Sequence, residues 1–368
     1  MEKDRERRYQ SAKAILNDLR NIEEGLPLGT KIRPGQETFI ATLVRKKLLL
    51  PTLAVAIAII TVIVWQFLPQ KVAQKPQEKP SLAVVYFENN TGDESLDYWR
   101  KALSELLIAD LSQSKYIKVL SGDRLFKILE DLNQLEVKSY SSDVLEKIAD
   151  EEGIENILRG NFAKAGDIFR INVMLQNPST GEIIGSEKEE GKGEESMFIM
   201  VDELTRRIKA HFQLSAGEIA DDIDEEVRKI TTGSSEAYKH YSKGLQHYRK
   251  AAYRQCIEFM NKAIEIDPEF AMAYRTMAYA YGTLGYAAEQ RKYLQRALES
   301  KDRISERERY LIQGDFYRHS EETAGLAIDA YTRLLELYPE EWRGSINLGI
   351  LYHDLEQWDK ARIKSSKI

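Results

Sequence analysis

Residues 237–268 read AYKHYSKGLQHYRKAAYRQCIEFMNKAIEIDP, and this stretch decides the fold of the C-terminal third of the chain. Like positions recur from here onward at a spacing of about 34 residues, the mark of stacked helix pairs. In the first copy Gly244, Ala263 and Pro268 take the small-residue and terminator positions, with Cys256 and Met260 at packing positions. A second copy from Ala271 supplies Tyr274, Ala278, Tyr281, Leu294 and Ala297. The third, with Gly314, Ala327, Tyr331 and Pro339, needs one inserted residue, and the fourth gives Leu348, Gly349, Tyr352 and Ala361. Small residues let paired helices approach closely, and the prolines end the second helix of a pair. Cys256, among these packing positions, reads as an inert core thiol.

Working toward the N-terminus, residues 81–214 read as an α+β domain. Leu82–Phe87 (LAVVYF) has strand character and Asn89–Gly92 turn character, and Glu94–Leu111 carries apolar residues at helical spacing. Tyr116–Leu120 is a second strand, followed by helices over Gly122–Asn133 and Val144–Glu152. Strands follow at Ile154–Ala163, Ile168–Gln176 and Glu182–Lys188, then a helix over Met197–Phe212. The order β-α-β-α-α-β-β-β-α implies a mixed sheet with helices packed on it.

Further upstream, Leu48–Leu68 (LLLPTLAVAIAIITVIVWQFL) holds no charged residue. About 20 apolar residues suffice for a helix to cross a hydrocarbon core, so a single transmembrane helix is expected at 48–68. Arg45, Lys46 and Lys47 abut its first end, which puts the N-terminus in the cytoplasm and the rest outside. The expected organisation is therefore residues 1–24 as a short amphipathic helical stub, 25–47 juxtamembrane, 48–68 membrane and 69–80 a linker. Residues 81–214 form the α+β domain, 215–236 a linker helix and 237–368 an all-α repeat solenoid. The expected location is the inner membrane, crossed once.

Three resemblances sharpen these expectations. The helix-pair pattern resembles the tetratricopeptide repeat, in which first helices line a concave groove that binds peptides or helices. By that register Tyr238, Tyr241, Tyr248 and Arg249 face the groove in the first copy, and Arg275 and Tyr279 in the second. Tyr and Arg are common anchors of protein interfaces, so a protein or peptide partner is expected there. The segments LAVVYFENNTGD (82–93), ILRGNF (157–162) and IFRINVMLQNPSTGEII (168–184), with the helix around Asp202, resemble the TolB-like amino-terminal domain of bacterial signalling proteins. Lys101-Ala102 stands where that family often has glycine.

Residues 3–20 resemble the end of the catalytic lobe of bacterial serine/threonine protein kinases, through Lys3, Asp4, Arg8, Tyr9, Ser11, Ala12, Asp18, Leu19 and Arg20. Arg5 stands where that family has proline. No Gly-rich phosphate loop, Val-Ala-Ile-Lys lysine, His-Arg-Asp or Asp-Phe-Gly occurs in the sequence, so no kinase chemistry is expected of the chain as given. Two readings stay open: the sequence begins late in a longer kinase, or the stub is a remnant. By the same register the chain stops inside the second helix of its fourth repeat, so a missing C-terminal cap, or a second copy covering that end, is expected.

The function expected is thus the sensing part of a receptor-type serine/threonine kinase, with a fragment of an active kinase as the enzyme alternative and an envelope-assembly accessory as a third. A net charge of −6 gives no basic field for nucleic acid. One cysteine rules out an internal disulfide framework, and histidines 211, 240, 247, 319 and 353 form no ligand pair, so neither metal nor cofactor is expected. Asp93, Glu94, Asp97 and the acidic run 187–195 read as solvated charges, not as catalytic carboxylates.

Overall fold

Strand β1 (Ser81–Val84) is buried along its whole length, because a layer of helices covers each of its faces. Leu82 and Val84 join one apolar cluster, and Ala83, with Val85 just beyond the strand, joins another. Side chains alternate across a strand, so this short apolar run feeds two cores. The computed structural model describes residues 79–360 apart from 213, 223 and 224, together with Leu16 and Leu19. The chain divides into two units, Met1–Gln77 and Glu78–Ile368, and the architecture below is that of the second.

After β1 come β2 (Glu88–Asn89), α1 (Tyr98–Leu111), β3 (Lys118–Val119), α2 (Gly122–Asp131), α3 (Ser142–Glu152), β4 (Asn156–Ala165), β5 (Ile168–Gln176), β6 (Ile183–Lys192) and α4 (Ser196–Ala210). The sheet order is β3-β1-β4-β5-β6, with β2 also on β4. Strands β3, β1 and β4 run parallel, whereas β4, β5 and β6 form an antiparallel meander. This is the mixed sheet expected from the sequence. The short parallel pairing of β2 with β4, Glu88 opposite Asn161, was not expected.

Helices α1 and α4 cover one face of the sheet, burying Trp99, Leu103, Leu106, Phe198 and Leu204 against Phe162, Ile171 and Val173. Helices α2 and α3 cover the other face only at its parallel end, through Leu125, Leu129, Leu145 and Ile148 on Ile157. Each such side chain, once fully buried, contributes about 1.5–3 kcal/mol. Helix α2 starts where the Ser121 hydroxyl accepts from the backbone N–H of Arg124. Helix α3 stops at Gly153, whose φ of 61° suits a residue without Cβ. Gly160 in β4 has a different constraint: a Cβ there would lie 2.4 Å from the Phe87 ring.

Two short helices, α5 (Ala216–Asp221) and α6 (Val227–Ile230), lead into paired helices. These are α7 (Ser235–Arg249) with α8 (Tyr253–Ile266), α9 (Ala271–Thr283) with α10 (Ala287–Glu299), and α11 (Glu306–Tyr317) with α12 (Ala324–Leu337). Helix α13 (Trp342–Asp354) follows. The small residues sit where the sequence put them: a Cβ on Gly244 would lie 2.7 Å from Met260, and one on Gly314 would lie 2.3 Å from the Tyr331 ring. The helical region is not a separate lobe. Tyr238, Tyr241, Met260, Phe270 and Met277 belong to the same apolar cluster as Trp99 and Phe162 of the sheet layer.

The expected membrane helix at 48–68, the stub at 1–24 apart from Leu16 and Leu19, the juxtamembrane segment at 25–47 and most of the 69–80 linker lie outside the described residues. Among the described residues no helix is long and apolar enough to cross a membrane. The 15-residue helices α4 and α7 would span only about 22 Å and keep exposed polar faces. This stands against the single-pass inner-membrane location, which is not carried further.

Candidate functional site

The six residues singled out for a groove come together. Tyr238, Tyr241, Tyr248 and Arg249 of α7, with Arg275 and Tyr279 of α9, all line one cavity of about 110 Å³. Its opposite wall belongs to the α/β layer: Glu105, Ile108 and Ala109 of α1, and Gly122 and Asp123 at the start of α2. The inner face of the paired helices is therefore turned toward α1.

Two acids anchor this contact. Arg249 donates from Nη1 to Glu105 Oε1 at 2.6 Å and from Nε to Asp123 Oδ1 at 2.9 Å. Its side chain is only 7% exposed and its guanidinium lies 5.9 Å from the Phe126 ring centre. Burial alone would weaken the charge of Arg249, but the Glu105 carboxylate more than offsets it and raises the pKa. Asp123 has a second cation, Arg343 of α13. One carboxylate of the α/β layer thus ties both α7 and α13.

A second network runs along the inner helices. Arg275 donates to the Tyr279 hydroxyl at 3.2 Å, stacks over that ring at 5.1 Å and pairs with Glu308 of α11. Tyr279 and Tyr331 both donate to Asp315, which also accepts from Asn347 Nδ2 at 2.7 Å. Arg307 of α11 pairs with Glu341, the N-cap of α13. The tyrosines at the α7 end are apolar contacts first. Phe198 stands edge-on to both Trp99 and Tyr238, at 6.2 and 5.8 Å between ring centres. Burial pushes the Tyr241 hydroxyl up to about 12, so it stays a neutral phenol. Cys256 is fully buried and burial pushes its thiol up to about 12 as well, so it holds no reactive thiolate.

Glu105, Asp123 and Arg343 were missed by the sequence reading. Glu105 and Arg249 are 144 residues apart, and no local pattern couples them. Of the acids read as solvated charges, Asp93, Glu94 and Glu195 are exposed, and several nonetheless hold local structure. Asp93 accepts from Ser95 N–H at 2.9 Å, and Glu194 accepts from the hydroxyl of Tyr98 and from the indole of Trp99. Glu195 accepts from the backbone and hydroxyl of Ser235 at the start of α7. Among the described residues there is no group of three or more His, Cys, Asp or Glu side chains placed to hold a metal ion.

Fold and site together define a mixed α/β layer closed by a run of paired helices. No family model matches the chain. A protein of Rhizobium meliloti (strain 1021) named "Putative adenylate cyclase 3" is 24% identical over 228 residues, covering 58% of this chain and 37% of that protein. The chain therefore spans little more than a third of that relative's length. Among solved structures, the C-terminal domain of LpoB from Escherichia coli is 19% identical, with 31% of this chain and 83% of that one covered, at a TM-score of 0.24. TolB from Acinetobacter baumannii is 15% identical over 38% of this chain and 29% of that one, at 0.26. Lipoprotein GNA1162 from Neisseria meningitidis is 13% identical over 36% and 99%, at 0.28. Likenesses this low carry no argument.

The kinase reading does not survive the comparison. The curated protein that this chain resembles bears the name of a nucleotide cyclase. The expected receptor kinase tail, the kinase-fragment alternative and the kinase parent enzyme are withdrawn with it. The match at residues 3–20 rests on nine positions, most of them Lys, Asp, Arg, Leu and Ala, types that solvated amphipathic helices commonly carry.

Proposed function

We propose that the helices from Ser235 onward are tetratricopeptide-type repeats whose concave face grips a helix, and that the chain is a protein-recognition part of a signalling protein. The working limits are those read from the sequence, 81–214 for the α+β part and 237–368 for the repeats. The observation that carries this reading is the convergence of Tyr238, Tyr241, Tyr248, Arg249, Arg275 and Tyr279 on helix α1. On this reading α1 is the resident ligand of the groove, and Glu105, Ile108 and Ala109 of its face, with the capping Ser112, supply the i, i+3, i+4, i+7 pattern of a helix laid in a groove. Protein partners with the same pattern, an acid followed by small and aliphatic residues, are what the groove would accept. The test is whether a peptide copying α1 binds in trans once the chain's own α1 is pushed off the groove. No binding by a chain that stays folded would contradict it.

The Rhizobium meliloti relative favours a second reading, in which the chain takes part in producing cyclic AMP. Incubating purified chain with ATP and magnesium and measuring cyclic AMP by mass spectrometry tests this. Product that rises with protein concentration supports the second reading, and none contradicts it.

A further inference from the structure

The last strand of the sheet presents an open edge. Strand β6 spans 10 residues without proline, ends the sheet order, and pairs on one side only with β5 among the described residues. A long unpaired edge is a template for another strand. Its exposed positions are Ile183, Ile184, Ser186, Lys188, Glu190 and Lys192; the last four alternate along the sheet face that α4 leaves bare, where Glu190 also meets Arg170 of β5. The alternate positions Glu187 and Glu189 point to the α4 side, where Glu189 meets Arg207 at 2.6 Å and Glu187 meets His211 at 2.8 Å.

A second copy of the chain fits this edge by charge. Two β6 strands joined edge to edge about a two-fold axis run antiparallel and present the same face, so their register changes two residues at a time. The register centred on Glu189 pairs residues 186–192 with themselves and places Lys188 opposite Glu190 of the partner subunit, twice by symmetry. The other registers with at least this overlap are centred on residues 186, 187 and 188. They put Lys188 opposite Ile184, Ser186 or itself, and none sets opposite charges face to face. Glu189 then meets Glu189 of the partner subunit, and Arg207 beside it offsets that repulsion. Opposite charges directly across a strand pair stabilise, and like charges destabilise, by roughly 0.2–1 kcal/mol each.

We infer that the chain forms a two-fold dimer by continuing its sheet through β6, in the register that faces Lys188 with Glu190 of the partner subunit. This goes beyond the groove reading and is independent of it. Sedimentation velocity of the full chain over a wide concentration range tests it, with circular dichroism as the check on folding. The wild type is expected to dimerise reversibly, and Lys188→Glu and Glu190→Lys each to weaken dimerisation severalfold. An equimolar mixture of the two variants should recover it, because every facing pair is again of opposite sign. A monomeric wild type, variants that dimerise as well as wild type, or a mixture that fails to recover would each overturn the inference.

Discussion

Replacing Trp99 by alanine is expected to lower the unfolding free energy by about 3–5 kcal/mol, as for other large aromatic truncations in a core. Trp99 is fully buried in α1, its indole N–H donates to Glu194 at 3.0 Å, and its ring meets Phe198 edge-on. The loss should not be local. Phe198 in turn packs on Tyr238 of α7, so the cavity opens at the join between sheet layer and paired helices. Urea denaturation should show a lower midpoint, and hydrogen exchange should report weaker protection in α1 and α7 alike. A loss under about 1 kcal/mol, or weakening confined to α1, would contradict the continuous core.

The second large effect concerns charge. Arg249→Ala leaves Glu105, whose side chain is 12% exposed, without its cation, and removes one of the two cations on Asp123. Breaking a buried pair from one side typically costs about 3–5 kcal/mol, because the partner stays buried and charged. Glu105→Gln in the same chain should return part of that loss. A double-mutant cycle should then give a coupling of about 0.5–3 kcal/mol. High salt should change this coupling little, since buried pairs are poorly screened. An additive cycle would show that Arg249 does not act through Glu105.

Helix periodicity was legible because each repeat carries its own local packing rule. Helices α7, α9, α11 and α13 begin at Ser235, Ala271, Glu306 and Trp342, close to the expected spacing. Strand β5 was legible for the same reason: Phe169, Ile171, Val173 and Leu175 alternate, and all four are buried. The six residues that the repeat resemblance set together do line one cavity. The opposite wall of that cavity was not legible, because Glu105 and Asp123 meet Arg249 only after the sheet has brought α1 and α2 beneath α7. Strand β2 was hidden for a related reason, as two residues inside a turn carry no period, and only β4 defines them. The kinase resemblance misled because it drew on nine positions within 18 residues, and no catalytic motif elsewhere in the sequence supports it.

The groove reading is tested most directly by binding in trans. A fluorescent peptide copying residues 97–113, which include α1, is titrated with full chain carrying Glu105→Arg, whose new cation repels Arg249 and drives the groove off its own helix. The expected result is saturable binding to the Glu105→Arg chain, little to wild type, and loss when Arg249→Ala is added. Equal binding to all three chains, or no binding by a Glu105→Arg chain that keeps its helical circular dichroism, would contradict a groove that recognises α1.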